Sequence, residues 1–165
     1  MSSRQQRDAE FTAFVRASSS ALTKTAWFLT GDAELARDLV QEAYVKTYLA
    51  WGRIRPVEAV GYARKVLVNL NIDRWRRRRP ESVGNVPERP VPSAESAADE
   101  RDRIARMLAG LPRQQRAVVV LRYLDDLSEQ DTAACLGISV GAVKSTASRG
   151  LAALRAGHVP EGEPR

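Results

Sequence analysis

The sequence contains one cysteine, one histidine and few aromatic residues, and these scarcities exclude several kinds of protein. Cys135 alone cannot form an internal disulfide, and together with His158 it does not supply a dedicated zinc site. We therefore expect Cys135 to be buried and inert, and we expect neither a metal nor another cofactor.

Long apolar runs are also missing. No stretch approaches the roughly 20 apolar residues that span a bilayer, and the opening "MSSRQQRDAEF" lacks the hydrophobic segment of a signal peptide. We expect a cytoplasmic protein with no membrane insertion. Because the sequence has no glycine-rich phosphate loop, and His158 has no nucleophile beside it, an enzyme is the least favoured class.

Positive charge is concentrated in the first half of the chain. The net charge is +6, and residues 1–79 hold 15 Lys and Arg against 8 Asp and Glu. In residues 99–165 the acidic residues cluster between Asp99 and Asp131. From there until Glu161 the charged residues are all basic. Phosphate is the partner that such a distribution favours.

A proline-rich stretch divides the chain. Four of the 8 prolines lie between Pro80 and Pro92, among Gly, Ser, Asn and Glu, a composition typical of an extended linker. The sequence predicts one module at 1–79, a flexible acidic linker at 80–98, a second module at 99–157 and a disordered tail at 158–165.

Both modules have helical periodicity, so the predicted fold class is all-α, with two small helical domains. In "GDAELARDLVQEAYVKTYLAW", Asp32 is a helix cap. The three polar residues Asp38, Gln41 and Glu42 lie mostly off an apolar stripe with spacings of three and four, formed by Leu35, Ala36, Leu39, Val40, Ala43 and Thr47.

The stretch "VEAVGYARKVLVNLNIDRWRRRR" predicts another helix that ends in arginines. We expect its inward residues to be Val60, Ala63, Val66, Leu67 and Leu70. The helix dipole accounts for one or two cations in a last turn, but not for the five arginines here, and an import signal is a weaker alternative. The run indicates phosphate contact by Arg74, Arg76, Arg77, Arg78 and Arg79.

The second module contains the pattern of a helix-turn-helix. Ser128 caps a short helix, Gly137 supplies a left-handed turn, and Ser139 caps a longer helix. A plain αα-hairpin remains the structural alternative. The outward positions of the longer helix are small or basic, as a helix in the major groove requires: Ser139, Gly141, Lys144, Ser145, Ser148 and Arg149.

Together the two modules resemble one family. "DLVQEAYVKTYLAW" and "VLVNLNIDRWRRRR" are similar to region 2 of bacterial sigma factors. "LPRQQRAVVVLRYLDDLSEQDTAACLGISVGAVKSTASRGLAALR" is similar to their region 4. With these two regions alone, the chain resembles the extracytoplasmic-function (ECF) sigma factors, and within them the actinobacterial SigE-like subgroup.

The resemblance implies partners and sites. Asp38, Gln41 and Glu42 would dock on the β′ clamp helices of core RNA polymerase, and an ordinary solvated face is the alternative. Asn69 and the loop near Trp51 to Val57, with Arg53 and Arg55, would hold a flipped base of the −10 element. Tryptophans are candidates for stacking, with Trp75 expected to be more exposed than Trp27, which we expect in the core.

For the second module the resemblance implies −35 recognition, with Lys144 and Arg149 as the leading contacts. The family more usually has Arg at the position of Thr146, so a DNA contact would be missing there. The acids Asp125, Asp126, Glu129 and Asp131 would face away from DNA, toward the polymerase β flap.

Three functions fit a chain with these features to different degrees. A promoter-specificity subunit bound to polymerase is favoured, and an anti-sigma partner that holds it inactive is plausible for this family. A free-standing helix-turn-helix regulator would need a phosphoacceptor, a ligand pocket or a dimer interface, and the first module shows neither of the first two. An anti-sigma-type binding protein fits the basic first module poorly.

Overall fold

In the computed structural model, which describes residues 2–78 and 96–157, every regular element is helical. Across those residues lie seven α-helices, two 3-10 turns and one π-helical turn. The first unit holds α1 (Ser3–Thr30), α2 (Ala33–Ala50), the 3-10 turns Trp51–Arg53 and Pro56–Glu58, and α3 (Ala59–Arg78). The second unit holds α4 (Ser96–Ala109), α5 (Arg113–Val119), the π-helical turn Val120–Leu124, α6 (Glu129–Leu136) and α7 (Val140–Gly157).

The turn between α1 and α2 follows the predicted capping chemistry. Gly31 has φ 68°, a left-handed conformation that costs glycine little, and its N–H closes α1 on the Trp27 carbonyl. The Asp32 carboxylate then accepts hydrogen bonds from the backbone N–H groups of Glu34 and Leu35. The predicted start of α2 is therefore confirmed.

The first unit has a core built from all three of its helices. Its buried members are Leu22 and Ala26 from α1, four residues of α2, and Ala63 and Leu67 from α3. The predicted stripe of α2 is confirmed, because Ala36, Leu39, Val40, Ala43 and Thr47 are buried and Leu35 is half-buried. The opposite side of α2 is thereby turned toward solvent and includes the exposed residues Arg37, Asp38, Gln41, Glu42, Val45, Lys46 and Leu49.

The predicted inward face of α3 is wrong at its first residue. Val60 is 37% exposed, whereas its neighbour Ala59 is buried. The buried row runs Ala59, Ala63, Leu67, Asn71, at a spacing of four, so Val60 falls beside the row rather than in it. Asn71 is 2% exposed and its Nδ2 has no hydrogen-bond partner within the described part of the chain, which no apolar pattern would have indicated.

In the second unit, α5, α6 and α7 pack around Val118, Ala133, Val143 and Ala147. Cys135 is buried, as predicted. α5 and α7 approach closely at Gly150, where an added Cβ would lie 2.8 Å from Cγ2 of Val119.

The predicted boundaries are only partly visible. α4 begins at Ser96, three residues before the second module was expected to start. Arg79 of the first module, residues 80–95 of the predicted linker and the predicted tail at 158–165 lie outside the described residues. Of the helices that are described, none combines the length and the apolar character that crossing a bilayer requires.

Candidate nucleic-acid interface

One face of α2 is exposed and chemically mixed. Asp38, Gln41 and Glu42 are all exposed, at the spacing of three and four that places them together on a helix. Val45 is 56% exposed and Leu49 71% exposed, and their spacing continues the same face. We call these five residues the α2 face; it offers two carboxylates, an amide and two aliphatic side chains.

Between α2 and α3, residues Trp51 to Glu58 form a loop of two 3-10 turns, which we call the inter-helix loop. Arg53 and Arg55 are exposed, and Val57 at the tip is 87% exposed. Arg55 pairs with Glu58 at 2.5 Å. That hydrogen bond and the nearby charge lower the pKa of Glu58 and raise that of Arg55.

α3 continues the basic surface. Asn69 is exposed, and Tyr62, Lys65 and Arg76 lie on the same helical face and are also exposed. Tyr62 and Lys65 were missed from sequence, although their spacing of seven and four residues from Asn69 would have found them. Arg76, Arg77 and Arg78 are exposed in the last turn, whereas Arg74 is half-buried.

None of the three tryptophans is fully buried or fully exposed. Trp27, Trp51 and Trp75 are all half-buried, and the greater exposure expected of Trp75 relative to Trp27 stays a prediction. Trp27 packs against the core of the first unit, as predicted. Trp51 lies with its ring centroid 5.1 Å from those of both Phe11 and Phe14, so part of this ring is engaged within the protein.

The helix-turn-helix has the predicted geometry. Ser128 Oγ accepts from the Asp131 N–H, Gly137 has φ 67°, and Ser139 Oγ accepts from the Ala142 N–H. All six predicted outward residues are exposed: Ser139, Gly141, Lys144, Ser145, Ser148 and Arg149. On a helix of 3.6 residues per turn, Gly141, Ser145 and Ser148 form a central strip of small side chains that Lys144 and Arg149 flank on opposite sides.

Two side chains of this module have surroundings that the sequence did not indicate. Glu129, expected to face away from DNA, has its Oε2 3.9 Å from Nζ of Lys144 on the recognition helix. The contact follows from the crossing of α6 over α7, which spacing along the sequence does not show. Thr146 is 4% exposed and accepts a hydrogen bond from Arg149, so this side chain faces the core rather than the groove.

Beside Lys144 a cavity of about 280 Å³ is lined by three cationic side chains, Arg122, Lys144 and Arg155, and by Glu129. Arg122 donates to the Leu127 carbonyl and lies over the Tyr123 ring. Arg122 and Arg155 were not among the predicted contacts. Of these two, only Arg155 could have been predicted from the sequence, because it follows Lys144 by three helical turns and so lies on the same face of α7.

The family comparisons cover both units. Residues 14–81 match the family Sigma-70 region 2, and residues 101–154 match Sigma-70, region 4. The chain is 40% identical over 149 residues to the RNA polymerase sigma-E factor of Streptomyces coelicolor, which covers 88% of this chain and 84% of that relative. It is 29% identical over 154 residues to the ECF RNA polymerase sigma factor SigW of Bacillus subtilis, 77% of each chain.

The chain therefore belongs to the sigma-70 family of RNA polymerase sigma factors, as a member of the ECF type. Its similarity to the Streptomyces sigma-E factors puts it with the actinobacterial SigE-like members. Members of this family bind core RNA polymerase and direct it to promoters, and so does this chain. Neither matched family is a catalytic one.

Solved structures agree on the fold. CnrH, in complex with the cytosolic domain of CnrY, matches with a TM-score of 0.65 and 27% identity over 88% of this chain and 85% of that one. The sigma factor RpoE of Bartonella quintana, in complex with the anti-sigma factor NepR, matches with a TM-score of 0.69 and 20% identity, over 88% and 94%.

Proposed function

We propose that the α2 face docks this sigma factor on the β′ clamp helices of core RNA polymerase, with Asp38, Gln41 and Glu42 as the polar contacts. The observation that carries the proposal is the exposure of Val45 and Leu49 beside two carboxylates. Aliphatic side chains at 56% and 71% exposure gain from burial against a partner, and the carboxylates can pair with arginines of a partner helix.

For the −10 element, we propose that the inter-helix loop and the exposed face of α3 take the non-template strand. Asn69 has both a donor and an acceptor, so it can read the edge of an extruded base. Arg53, Arg55, Arg74 and Arg76–Arg79 would contact phosphates, while Trp51 and Trp75 offer ring edges at half-buried positions. The exposed Tyr62 is an added candidate for stacking.

For the −35 element, we propose that α7 enters the major groove with its strip of small side chains against the bases. Lys144 and Arg149, one on each flank, would reach base edges or phosphates on either side, with Ser139, Ser145 and Ser148 as shorter contacts.

The second unit and the α2 face would also meet protein partners. The exposed Asp126 is placed to contact the polymerase β flap. An anti-sigma partner would cover the α2 face, the exposed −35 surface of α7, or both. The chain would act in the cytoplasm, where promoters are.

Co-elution tests the docking proposal. The full chain is mixed with sigma-free core polymerase of Streptomyces coelicolor, the source of the relative described above. We expect the triple variant Asp38→Ala, Gln41→Ala, Glu42→Ala to bind at least about tenfold more weakly than the wild type. The control Glu10→Ala, Asp73→Ala removes two exposed carboxylates from α1 and α3 and should bind normally. Equal binding by both variants would contradict the docking face.

A wild-type chain that ignored core polymerase but bound promoter DNA alone would favour the free-standing helix-turn-helix regulator. The family matches support the sigma factor over that alternative, because a region 2 match covers the first unit.

A further inference from the structure

The inter-helix loop is held from behind by the first turns of α1. Arg7 donates from Nη2 to the Tyr48 carbonyl at 2.8 Å, across 41 residues of chain. That same carbonyl accepts the backbone N–H of Trp51, the bond that opens the first 3-10 turn. Arg7 therefore fixes the acceptor on which the loop begins.

The bonding continues from this point into the loop. The Trp51 carbonyl accepts from the Ile54 N–H at 3.2 Å, and the Arg55 carbonyl accepts from the Glu58 N–H at 2.9 Å. The bonds that end on Tyr48 and on Trp51 share Trp51, and the third begins one residue after Ile54, so a shift of the Tyr48 carbonyl would reach Arg53 and Arg55 along a short, continuous stretch of chain. Those are the exposed cations proposed for −10 contact.

Side chains reinforce the same connection. Tyr48 donates its hydroxyl to Asp8 at 2.6 Å, and the Arg7 guanidinium lies 5.0 Å from the Tyr48 ring centroid. The Phe11 ring packs edge-on against Tyr48 and Trp51, with centroids 5.1 Å apart in each pair. We call Arg7, Asp8 and Phe11 with their partner Tyr48 the α1 clasp.

The α1 members of the clasp lie outside the region 2 match, which begins at residue 14 and includes Tyr48. Arg7, Asp8 and Phe11 all precede that segment. Phe11 lines one groove with Gln41 and Val45 of the α2 face, whereas Arg7 and Asp8 are not among the residues that line it. The clasp contacts described above are with the end of α2 and the start of the loop.

We propose that the α1 clasp positions the inter-helix loop for capture of the −10 strand, with Arg7 as its principal positioning residue. The proposal rests on the function proposed above for that loop. The arginine hydrogen bond adds a second, charge-assisted donor to a helix-terminal carbonyl that already accepts the Trp51 N–H. Without it the loop keeps its residues but loses the fixed start of its first turn.

The test uses holoenzyme reconstituted from the full chain and core polymerase, on a promoter that the wild-type holoenzyme opens. Opening is measured by permanganate reactivity of unpaired thymines in the −10 segment. We expect Arg7→Ala to reduce opening about three- to tenfold while core binding stays within about twofold. Arg7→Lys, which keeps a cationic donor, should recover most of the loss.

Two further variants sharpen the result. Phe11→Leu keeps an apolar side chain but removes the ring contacts to Tyr48 and Trp51, and we expect it to lower opening as well. Arg16→Ala removes an exposed cation from the same helix and should leave opening unchanged.

Opening by Arg7→Ala and Phe11→Leu at the wild-type level would overturn the proposal. So would a parallel loss of opening, core binding and thermal stability, since the clasp would then serve the stability of the whole unit. A wild-type chain that neither bound polymerase nor opened any promoter would instead refute the proposed function. The two failures are therefore distinguishable.

Discussion

Glu129, in the first turn of α6, lies 3.9 Å from Lys144 on the recognition helix. The carboxylate is partly covered, with a side-chain exposure of 36%, whereas Lys144 is 66% exposed. Glu129 thus neutralises part of the charge on one flank of the proposed −35 surface. The Lys144 ammonium therefore lies beside the first turn of α6.

We expect Glu129→Gln to raise the affinity for −35 duplex DNA about two- to fivefold. In the wild type, Lys144 must give up its ion pair with Glu129 before it can contact a DNA phosphate, and the variant removes that cost. Exposed ion pairs of this kind are worth up to about 1 kcal/mol. Binding titrations at several salt concentrations measure the effect. Asp131→Asn removes the same charge from the same helix without touching Lys144; an equal gain in that variant would show that only net charge matters.

The arginines at the end of α3 should act through phosphates. Replacing Arg76, Arg77 and Arg78 by Ala should weaken binding of holoenzyme to −10 DNA without changing its sequence preference. The slope of log affinity against log salt should fall by about 0.7 to 0.9 for each phosphate that the variant no longer neutralises. An altered base preference at constant slope would place these arginines on base edges instead.

Close packing at Gly150 gives a prediction on stability. Gly150→Ala places a methyl 2.8 Å from Cγ2 of Val119, so either this side chain or the packing of α5 on α7 must shift, at a cost of about 1 to 3 kcal/mol. The gain in helix propensity, about 1 kcal/mol, offsets part of this. Gly141→Ala in the same helix meets only Ser139 Oγ, at 3.9 Å, and should stabilise. Urea unfolding of both variants distinguishes them, and equal stability would contradict the close approach.

Alkaline pH should loosen the α1 clasp. The hydroxyl that Tyr48 donates to Asp8 raises the pKa of Tyr48 above its ordinary value of 10.0, and the Asp8 charge adds to the rise while Arg7 and Arg4 oppose it. A raised pKa in the folded state means that this stabilisation is complete below pH 10 and is lost as pH rises through the folded pKa.

The check compares urea unfolding of the wild type with that of Tyr48→Phe from about pH 8 to about pH 11.5. We expect the difference between them to shrink toward zero at the alkaline end. Tyr44, whose pKa is raised by burial, titrates in both proteins and cancels from the difference. A difference that stayed constant with pH would mean that the Tyr48 hydroxyl does not bond to Asp8.

Local signals predicted much of this structure. Asp32, Ser128, Gly137 and Ser139 act through hydrogen bonds or dihedral angles confined to a few neighbouring residues, so the sequence alone indicates them. The apolar stripe of α2 was equally clear, because polar residues stand between its members at regular intervals along the sequence. Exposure of Asp38, Gln41 and Glu42 followed directly from that periodicity.

What could not be predicted depends on packing between distant segments. In α3 the run "VLVNLNI" is apolar on several sides, so periodicity did not distinguish a row through Ala59 from one through Val60. The contact between Glu129 and Lys144, and the bond from Arg7 to Tyr48, join helices that only the fold brings together. Thr146, on α7, is buried by packing of this kind within the second unit.

The central claim is that two separate surfaces of one chain read two promoter elements once polymerase is bound. Selection from a random DNA library by reconstituted holoenzyme tests it most directly, using the wild type, Lys144→Ala and Asn69→Ala. We predict that the wild type selects two elements at a fixed spacing, that Lys144→Ala relaxes only the −35 element, and that Asn69→Ala relaxes only the −10 element. Loss of the same element in both variants, or selection of the same sites by the chain without polymerase, would contradict the account.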